Sequence, residues 1–175
     1  KIDGGEYSEG RIRNEILGEP FDMGIKPITM TELMACCRDY VPTDTKKSEY
    51  GIAHMFGGLD WAVTSGTTVF TAGGKDSNDK FKTVYAKKYT SVDPRVVIDD
   101  VVRLCGLLNI EYLGADRGAG HTNNLLLMDR LAFTKVMEFA YVPTQREGMK
   151  WDQKSQCFIL DRTVALDSTL YKLKN

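Results

Sequence analysis

Asp60 and Asp116 each sit in a short apolar segment, Met55-Phe56-Gly57-Gly58-Leu59-Asp60-Trp61-Ala62-Val63 and Ile110-Glu111-Tyr112-Leu113-Gly114-Ala115-Asp116. Both segments read as buried β-strands. An ionised carboxylate is costly to remove from water unless it is paired or bound to a cation. Two of them in one core region point to a hard divalent ion, Mg²⁺ or Mn²⁺. Magnesium takes oxygen ligands in octahedral geometry and keeps several waters, so two carboxylates plus a substrate phosphate form a workable set. Two such ions a few ångströms apart could activate an attacking water and stabilise the leaving oxygen of a phosphodiester. Plainer roles stay open: Asp60 as an acceptor for a turn, Asp116 as a cap or Asx-turn residue before Arg117-Gly118.

Other residues bear on the same chemistry. Gly118-Ala119-Gly120 follows Asp116 and opens a helix, either as a tight strand-to-helix turn or as a place where backbone N–H groups approach a phosphate. His121 either hydrogen-bonds at that helix start or reaches a scissile phosphate or metal-bound water; His54 has no partner evident in the sequence. Lys75, Lys80, Lys82, Lys87 and Lys88 stand against only Asp76 and Asp79, and Arg117 follows Asp116. Such a cluster on a hairpin either contacts phosphates or guards a sheet edge against pairing. Tyr85 and Tyr89 read as packing residues. The chain has no GxxxxGK[ST] phosphate loop and no GxSxG nucleophile motif.

These residues need strands and helices to place them. The first strand covers about 55–63, the second 67–72 and the third 81–89, with Gly73-Gly74-Lys75-Asp76-Ser77-Asn78 as the turn-rich hairpin connection. Asp93-Pro94 starts a helix, Asp as N-cap and Pro at the first position. Its apolar face carries Val97, Val101, Leu104 and Leu108. The strand with Asp116 is fourth, a helix follows from about 121 to 133, and a fifth strand from 135 to 142 stops at Pro143. A small hairpin over 151–160 and a last helix over 162–174, with Leu166, Leu170 and Leu173 inward, complete the order. Three antiparallel strands followed by alternating helices and strands predict an α/β fold, a mixed sheet flanked by helices. That arrangement resembles ribonuclease-H-like domains. In it the first and fourth strands are neighbours, which would bring Asp60 and Asp116 together at one sheet end.

The chain is 175 residues, enough for one domain with an extension. Residues 1–50 differ from the rest. Gly4-Gly5, Gly10, Gly18, Pro20, Gly24, Pro27 and Pro42 interrupt them, and only Thr29 and Glu32, spaced as a capping box before Leu33-Met34-Ala35-Cys36-Cys37, mark a helix. The stretch 42–49 reads as an exposed loop. Residues 1–50 thus read as a linker or docking arm, and 51–175 as the main domain. The start, Lys1-Ile2-Asp3-Gly4-Gly5, has no apolar signal region and reads as internal to a longer polypeptide. A net charge of −1 gives no global push toward nucleic acid. No apolar run approaches the ~18 residues that cross a bilayer, so no membrane partner is expected. Cys36, Cys37, Cys105 and Cys157 fit no zinc spacing and read as buried free thiols.

Gly58-Leu59-Asp60-Trp61-Ala62 and Leu113-Gly114-Ala115-Asp116-Arg117-Gly118-Ala119-Gly120 together resemble the nuclease domain of bacteriophage terminase large subunits. Arg13-Asn14-Glu15-Ile16-Leu17-Gly18-Glu19-Pro20, then Pro27-Ile28-Thr29 and the short helix, resembles the segment joining a terminase ATPase motor to its nuclease. The likeness covers nearly the whole chain in order and spacing, with sharp motifs confined to about thirty residues. It implies a Mg²⁺- or Mn²⁺-dependent endonuclease that cuts concatemeric double-stranded DNA during packaging. Asp60 and Asp116 would be metal ligands, and the lysine hairpin, Arg117 and His121 would lie near DNA. It also implies a portal protein and a small terminase subunit as partners, at the procapsid in the host cytoplasm. A third acidic ligand is expected on a later helix. Asp161 and Asp167 are the candidates, with Asp167 the one to carry forward, but neither has the family's Asp-x-x-His-Ala-like context, so the domain reads as ending short of it. Other readings are a resolvase- or transposase-type nuclease, an actin-like ATPase-type nucleotide-binding domain, which opens with a similar glycine–aspartate strand, and a non-catalytic docking module.

Overall fold

The computed structural model describes residues 29–37, 51–62, 66–90, 92–142 and 148–174, with the backbone alone for 167 and 170–174. The readings of 1–28 and of the 42–49 loop lie outside the described residues. Two compact units are present: Asp39–Ala165, and Lys1–Arg38 with Leu166–Asn175.

In the first unit, β1 (Ile52–Asp60), β2 (Thr67–Asp76), β3 (Phe81–Thr90), β4 (Ile110–Asp116), β5 (Val136–Val142), β6 (Met149–Asp152) and β7 (Cys157–Asp161) form one sheet in the order β3-β2-β1-β4-β5-β7-β6. β1, β2 and β3 pair antiparallel, β4 runs parallel to β1, β5 to β4 and β7 to β5, and β6 returns antiparallel to β7. The fold is therefore α/β with a mixed sheet, as the element order predicts for a ribonuclease-H-like domain. β1 and β4 are neighbours. The hairpin expected over 151–160 extends the same sheet.

Helix α1 (Met30–Cys36) lies in the second unit, while α2 (Pro94–Leu107) and α3 (His121–Leu131) make the crossovers from β3 to β4 and from β4 to β5. The Asp93 carboxylate accepts the Arg95 N–H at 2.9 Å and so caps α2. Val97, Val101, Leu104 and Leu108 are all essentially fully buried. They join Met55, Leu59, Phe70, Leu113, Ala115 and Leu127 in one core between the helices and the sheet. Fully burying an aliphatic side chain stabilises by about 1.5–3 kcal/mol, so this face holds the sheet and helices together.

Several sequence expectations shift. β1 runs from Ile52 to Asp60 instead of from 55 to 63; Trp61 stays 8% exposed but has left the strand. Gly73-Gly74 are not the hairpin turn. They belong to β2, at a register shift against β3. A Cβ at Gly73 would stand 2.4 Å from the Lys82 carbonyl oxygen, and one at Gly74 2.1 Å from that of His54. Glycine is needed there for close backbone approach. The turn itself follows Asp76, whose carboxylate accepts the N–H groups of Asn78 and Lys80 at 2.8 and 3.1 Å.

In the second unit, Thr29 caps α1 with the reciprocal Glu32 bond expected from the capping box. Cys36 and Cys37 are exposed, so the buried-thiol expectation holds only for Cys105 and Cys157. The capping box sets where α1 starts but not which of its faces meets a core. The last helix, α4 (Arg162–Lys174), begins where the Asp161 carboxylate accepts the Val164 N–H at 3.1 Å. Asp161 is thus a helix cap, and the segment after it is already helical. Leu166, expected inward, is 53% exposed.

Candidate functional site

The ladder between β1 and β4 ends at Leu59↔Ala115. Asp60 and Asp116 are the next residue on each strand. Side chains alternate along a strand, and neighbouring strands lie about 4.8 Å apart. The two aspartates therefore stand side by side on one face, opposite the face on which Leu59 (4% exposed) and Ala115 (1%) enter the core.

The same register extends the row in both directions. Asp60 pairs with Val69, and Val69 with Lys88. Asp116 pairs with Phe139, Phe139 with Phe158, and Phe158 with Trp151. Phe139 and Phe158 stack at 5.5 Å, and Trp151 meets Phe158 edge-on at 5.0 Å. The aspartate pair is thus flanked by an aromatic wall on one side and a lysine two strands away on the other. Directly before the aspartates on this face, Gly58 pairs with Gly114. A Cβ at Gly114 would meet the Phe139 ring at 2.9 Å, so the absence of a side chain lets that ring lie across β4.

Neither aspartate is buried as its apolar segment predicts. Asp60 is exposed and Asp116 only half-buried. What distinguishes them is the lack of partners: among the described residues, neither carboxylate has a hydrogen bond or ion pair. Asp76, Asp79, Asp99 and Asp100, by contrast, are each matched to a cation. Like charges on adjacent strand ends repel, more strongly at a protein surface than in bulk water. Such a pair fits a divalent cation with oxygen ligands, whose remaining positions water or phosphate oxygen would fill. Among the described residues no group of three or more His, Cys, Asp or Glu side chains comes together at one point. Nothing is described of the Asp167 side chain.

Among the described residues Glu138, 3% exposed, is the acidic residue that is buried as a whole, and it was not among the sequence candidates. It lies on the helix-covered face, paired with Ala115. The His121 ring Nδ1 lies 2.8 and 3.0 Å from its two oxygens, the Asn124 amide nitrogen donates to it at 2.8 Å, and Arg117 Nε is 3.8 Å away. The signal was present: Glu138 is one acid in Val136-Met137-Glu138-Phe139-Ala140-Tyr141-Val142, the same pattern that drew attention to Asp60 and Asp116.

The remaining candidates fall into two groups. Lys75, Lys82 and Lys87 are engaged with Asp79, Asp76 and Asp100 at 2.7, 3.0 and 2.6 Å. Lys80 and Lys88 have no such partner among the described residues. Arg117 donates to the Ser155 carbonyl and leans toward Glu138, and His121 starts α3 and faces Glu138. His54 meets Glu111 at 3.0 Å. Gly118-Ala119-Gly120 forms the strand-to-helix turn. A cavity of about 590 Å³ lined by Cys105, Asn109, Glu111 and Lys135 lies at the start of β4, a strand length from Asp116.

Asp100 shows what a carboxylate looks like when the fold uses it. Burial pushes its pKa up, but bonds from Lys87, the Tyr89 hydroxyl and Arg103 outweigh that and hold it at about 2. Burial and the same bond drive the Tyr89 hydroxyl well above its ordinary value. Burial also pushes the Cys105 thiol up to about 12, which leaves it protonated and unreactive.

No family model and no curated protein sequence matches the chain. Among solved structures it is similar to the HK97 bacteriophage large terminase, with a TM-score of 0.52 and 12% identity over 86% of this chain. The chain spans about a third of that protein's length (33%). At this identity the likeness is one of architecture: the chain has a terminase-like fold.

Proposed function

We propose that this chain is a Mg²⁺- or Mn²⁺-dependent endonuclease domain of the terminase large-subunit kind, cutting double-stranded DNA. The observation that carries the reading is the pair of carboxylates, Asp60 and Asp116, next to each other on one face at the shared end of β1 and β4 and without partners among the described residues. Two carboxylates on adjacent strand ends suit a shared divalent cation with oxygen ligands, and the terminase-like fold is consistent with a nuclease reading. When bound there, a divalent ion supplies a Lewis acid that activates water and neutralises charge on a phosphodiester.

The chain's own residues do the rest. Asp60 and Asp116 hold the cation. Lys88, in the same cross-sheet row and exposed, offers a charge to a backbone phosphate near the carboxylates. Lys80, at the hairpin tip, offers a second, more distant one. Lys75, Lys82 and Lys87 act first within the fold, through their ion pairs. Phosphate contacts position a duplex without reading its sequence, so cleavage has little base preference. The portal protein and small subunit as partners, and a place at the procapsid in the host cytoplasm, follow from the terminase reading as part of the proposal.

The test is Mn²⁺-dependent nicking of supercoiled plasmid by the parent, Asp60→Asn and Asp116→Asn. Loss of nicking by about a hundredfold or more in each variant, with far-UV circular dichroism unchanged, is expected. Parental rates in either variant would reject the assignment.

A further inference from the structure

Asn124 is 0% exposed on the inward face of α3, level with Leu127 and Met128. An apolar residue is the ordinary choice at such a position, because a buried amide destabilises unless its hydrogen bonds are made. Here they are made, and all run to the aspartate end of the sheet. Its Oδ1 accepts from the Trp61 indole Nε1 at 2.8 Å. Its Nδ2 donates to the Asp116 backbone carbonyl at 2.9 Å and to Glu138 Oε1 at 2.8 Å. Trp61 directly follows Asp60. One amide is therefore bonded to the backbone of one aspartate and to the residue beside the other.

The geometry leaves this amide a single orientation. The indole N–H can only donate, and the carbonyl and carboxylate can only accept. Glu138 is itself held by His121. The indole is seated on the turn after β4, where a Cβ at Gly120 would stand 2.2 Å from Trp61 Cδ1. The bridge lies one step beyond Leu59↔Ala115, where the β1–β4 ladder stops.

We infer that Asn124 is a positioning residue that fixes the separation of Asp60 and Asp116 by tying together the two strand ends beyond the last ladder pair. The inference rests on the reading of the aspartates as one site, and its test separates the two claims. Two backbone amides report on the strand ends without metal: Ala62 N–H, bonded to Thr68 Oγ1 at 3.0 Å, and Arg117 N–H, bonded to the Phe139 carbonyl at 2.9 Å. Leu108 N–H, bonded to the Leu104 carbonyl at the end of α2, is the control.

Hydrogen exchange of these amides would be followed by NMR in the metal-free chain for the parent, Asn124→Asp and Trp61→Phe. Asn124→Asp turns an oxygen toward two acceptors. It should speed exchange of Ala62 and Arg117 at least tenfold while leaving Leu108 within twofold. Trp61→Phe removes one bond and should give the same pattern more weakly, which keeps the test decisive if Asn124→Asp does not fold. Unchanged exchange at either strand end, or an equal rise at Leu108, would overturn the inference in favour of simple core packing. In the same samples, Mn²⁺ should broaden the Trp61 indole signal of the parent before that of Trp151. In Asn124→Asp the required Mn²⁺ should rise about tenfold, and a rise below twofold would also overturn the positioning role. Absence of selective broadening in the parent would defeat the aspartate-pair reading, while the exchange data still decide the role of Asn124.

Discussion

Asp100 and the Asp60–Asp116 pair are carboxylates on the same small domain with opposite surroundings. Asp100 gathers Lys87, Tyr89 and Arg103, and its pKa falls to about 2. Asp60 and Asp116 stand in register with no cation or donor among the described residues, although Arg117 is next in sequence and turns to Ser155 and Glu138 instead. Where acids serve the fold, the chain supplies partners for them. Asp60 and Asp116 have none among the described residues, and that difference is what supports the proposed cation site.

The largest effect that sharpens this contrast is functional. Asn at 60 or 116 should abolish nicking while leaving the melting temperature at the parent's, because neither carboxylate has a bond among the described residues to lose. A clear fall in melting temperature would move these residues to the structural side. Next, Asp100→Asn should do the reverse. Leaving Lys87, Tyr89 and Arg103 without their shared acceptor should destabilise by about 2 kcal/mol and lower the melting temperature by roughly 4–8 °C. The nicking rate per folded molecule should stay at the parent's level.

The pH dependence carries the same distinction. The folded pKa of Asp100 is depressed to about 2, below an unfolded value near 3.9. Its stabilisation is therefore full above pH ~4 and is lost as pH falls from there toward 2. Urea titrations over that window should show a shallower acid limb for Asp100→Asn than for the parent, and superimposable limbs would remove the ion-pair account. The smallest effect concerns the lysines. Lys88→Ala should lower the slope of log affinity for DNA against log salt by about one with no change in stability. Lys87→Ala should chiefly reduce stability. The opposite assignment would put Lys87, not Lys88, in the DNA path.

Much of the architecture was legible because its signals are local. The Thr29/Glu32 box, the Asp93-Pro94 start and the 97-101-104-108 stripe each depend on a few neighbouring residues, and each element forms where they indicate. The Gly73-Gly74 pair misled for the opposite reason. A turn and a tight strand crossing both need glycine, and only the neighbouring carbonyls of His54 and Lys82 distinguish them. Asp60 and Asp116 are not buried as their apolar segments suggested; what supports them as a pair is their place beside each other at the strand ends and the lack of partners among the described residues. Glu138 carried the same sequence signal and lies on the core side, satisfied by His121 and Asn124.

By itself, then, the amino-acid order settled which segments become strands and helices and the sequence in which they follow, since propensity, capping and periodicity act over a few residues. Which acid faces water, which is enclosed, which lysine is already taken and which amide joins two strand ends were settled only in three dimensions. Those outcomes depend on charges and donors brought together from distant parts of the chain, and hydrogen bonds and Coulomb forces act over ångströms of space regardless of the residues between.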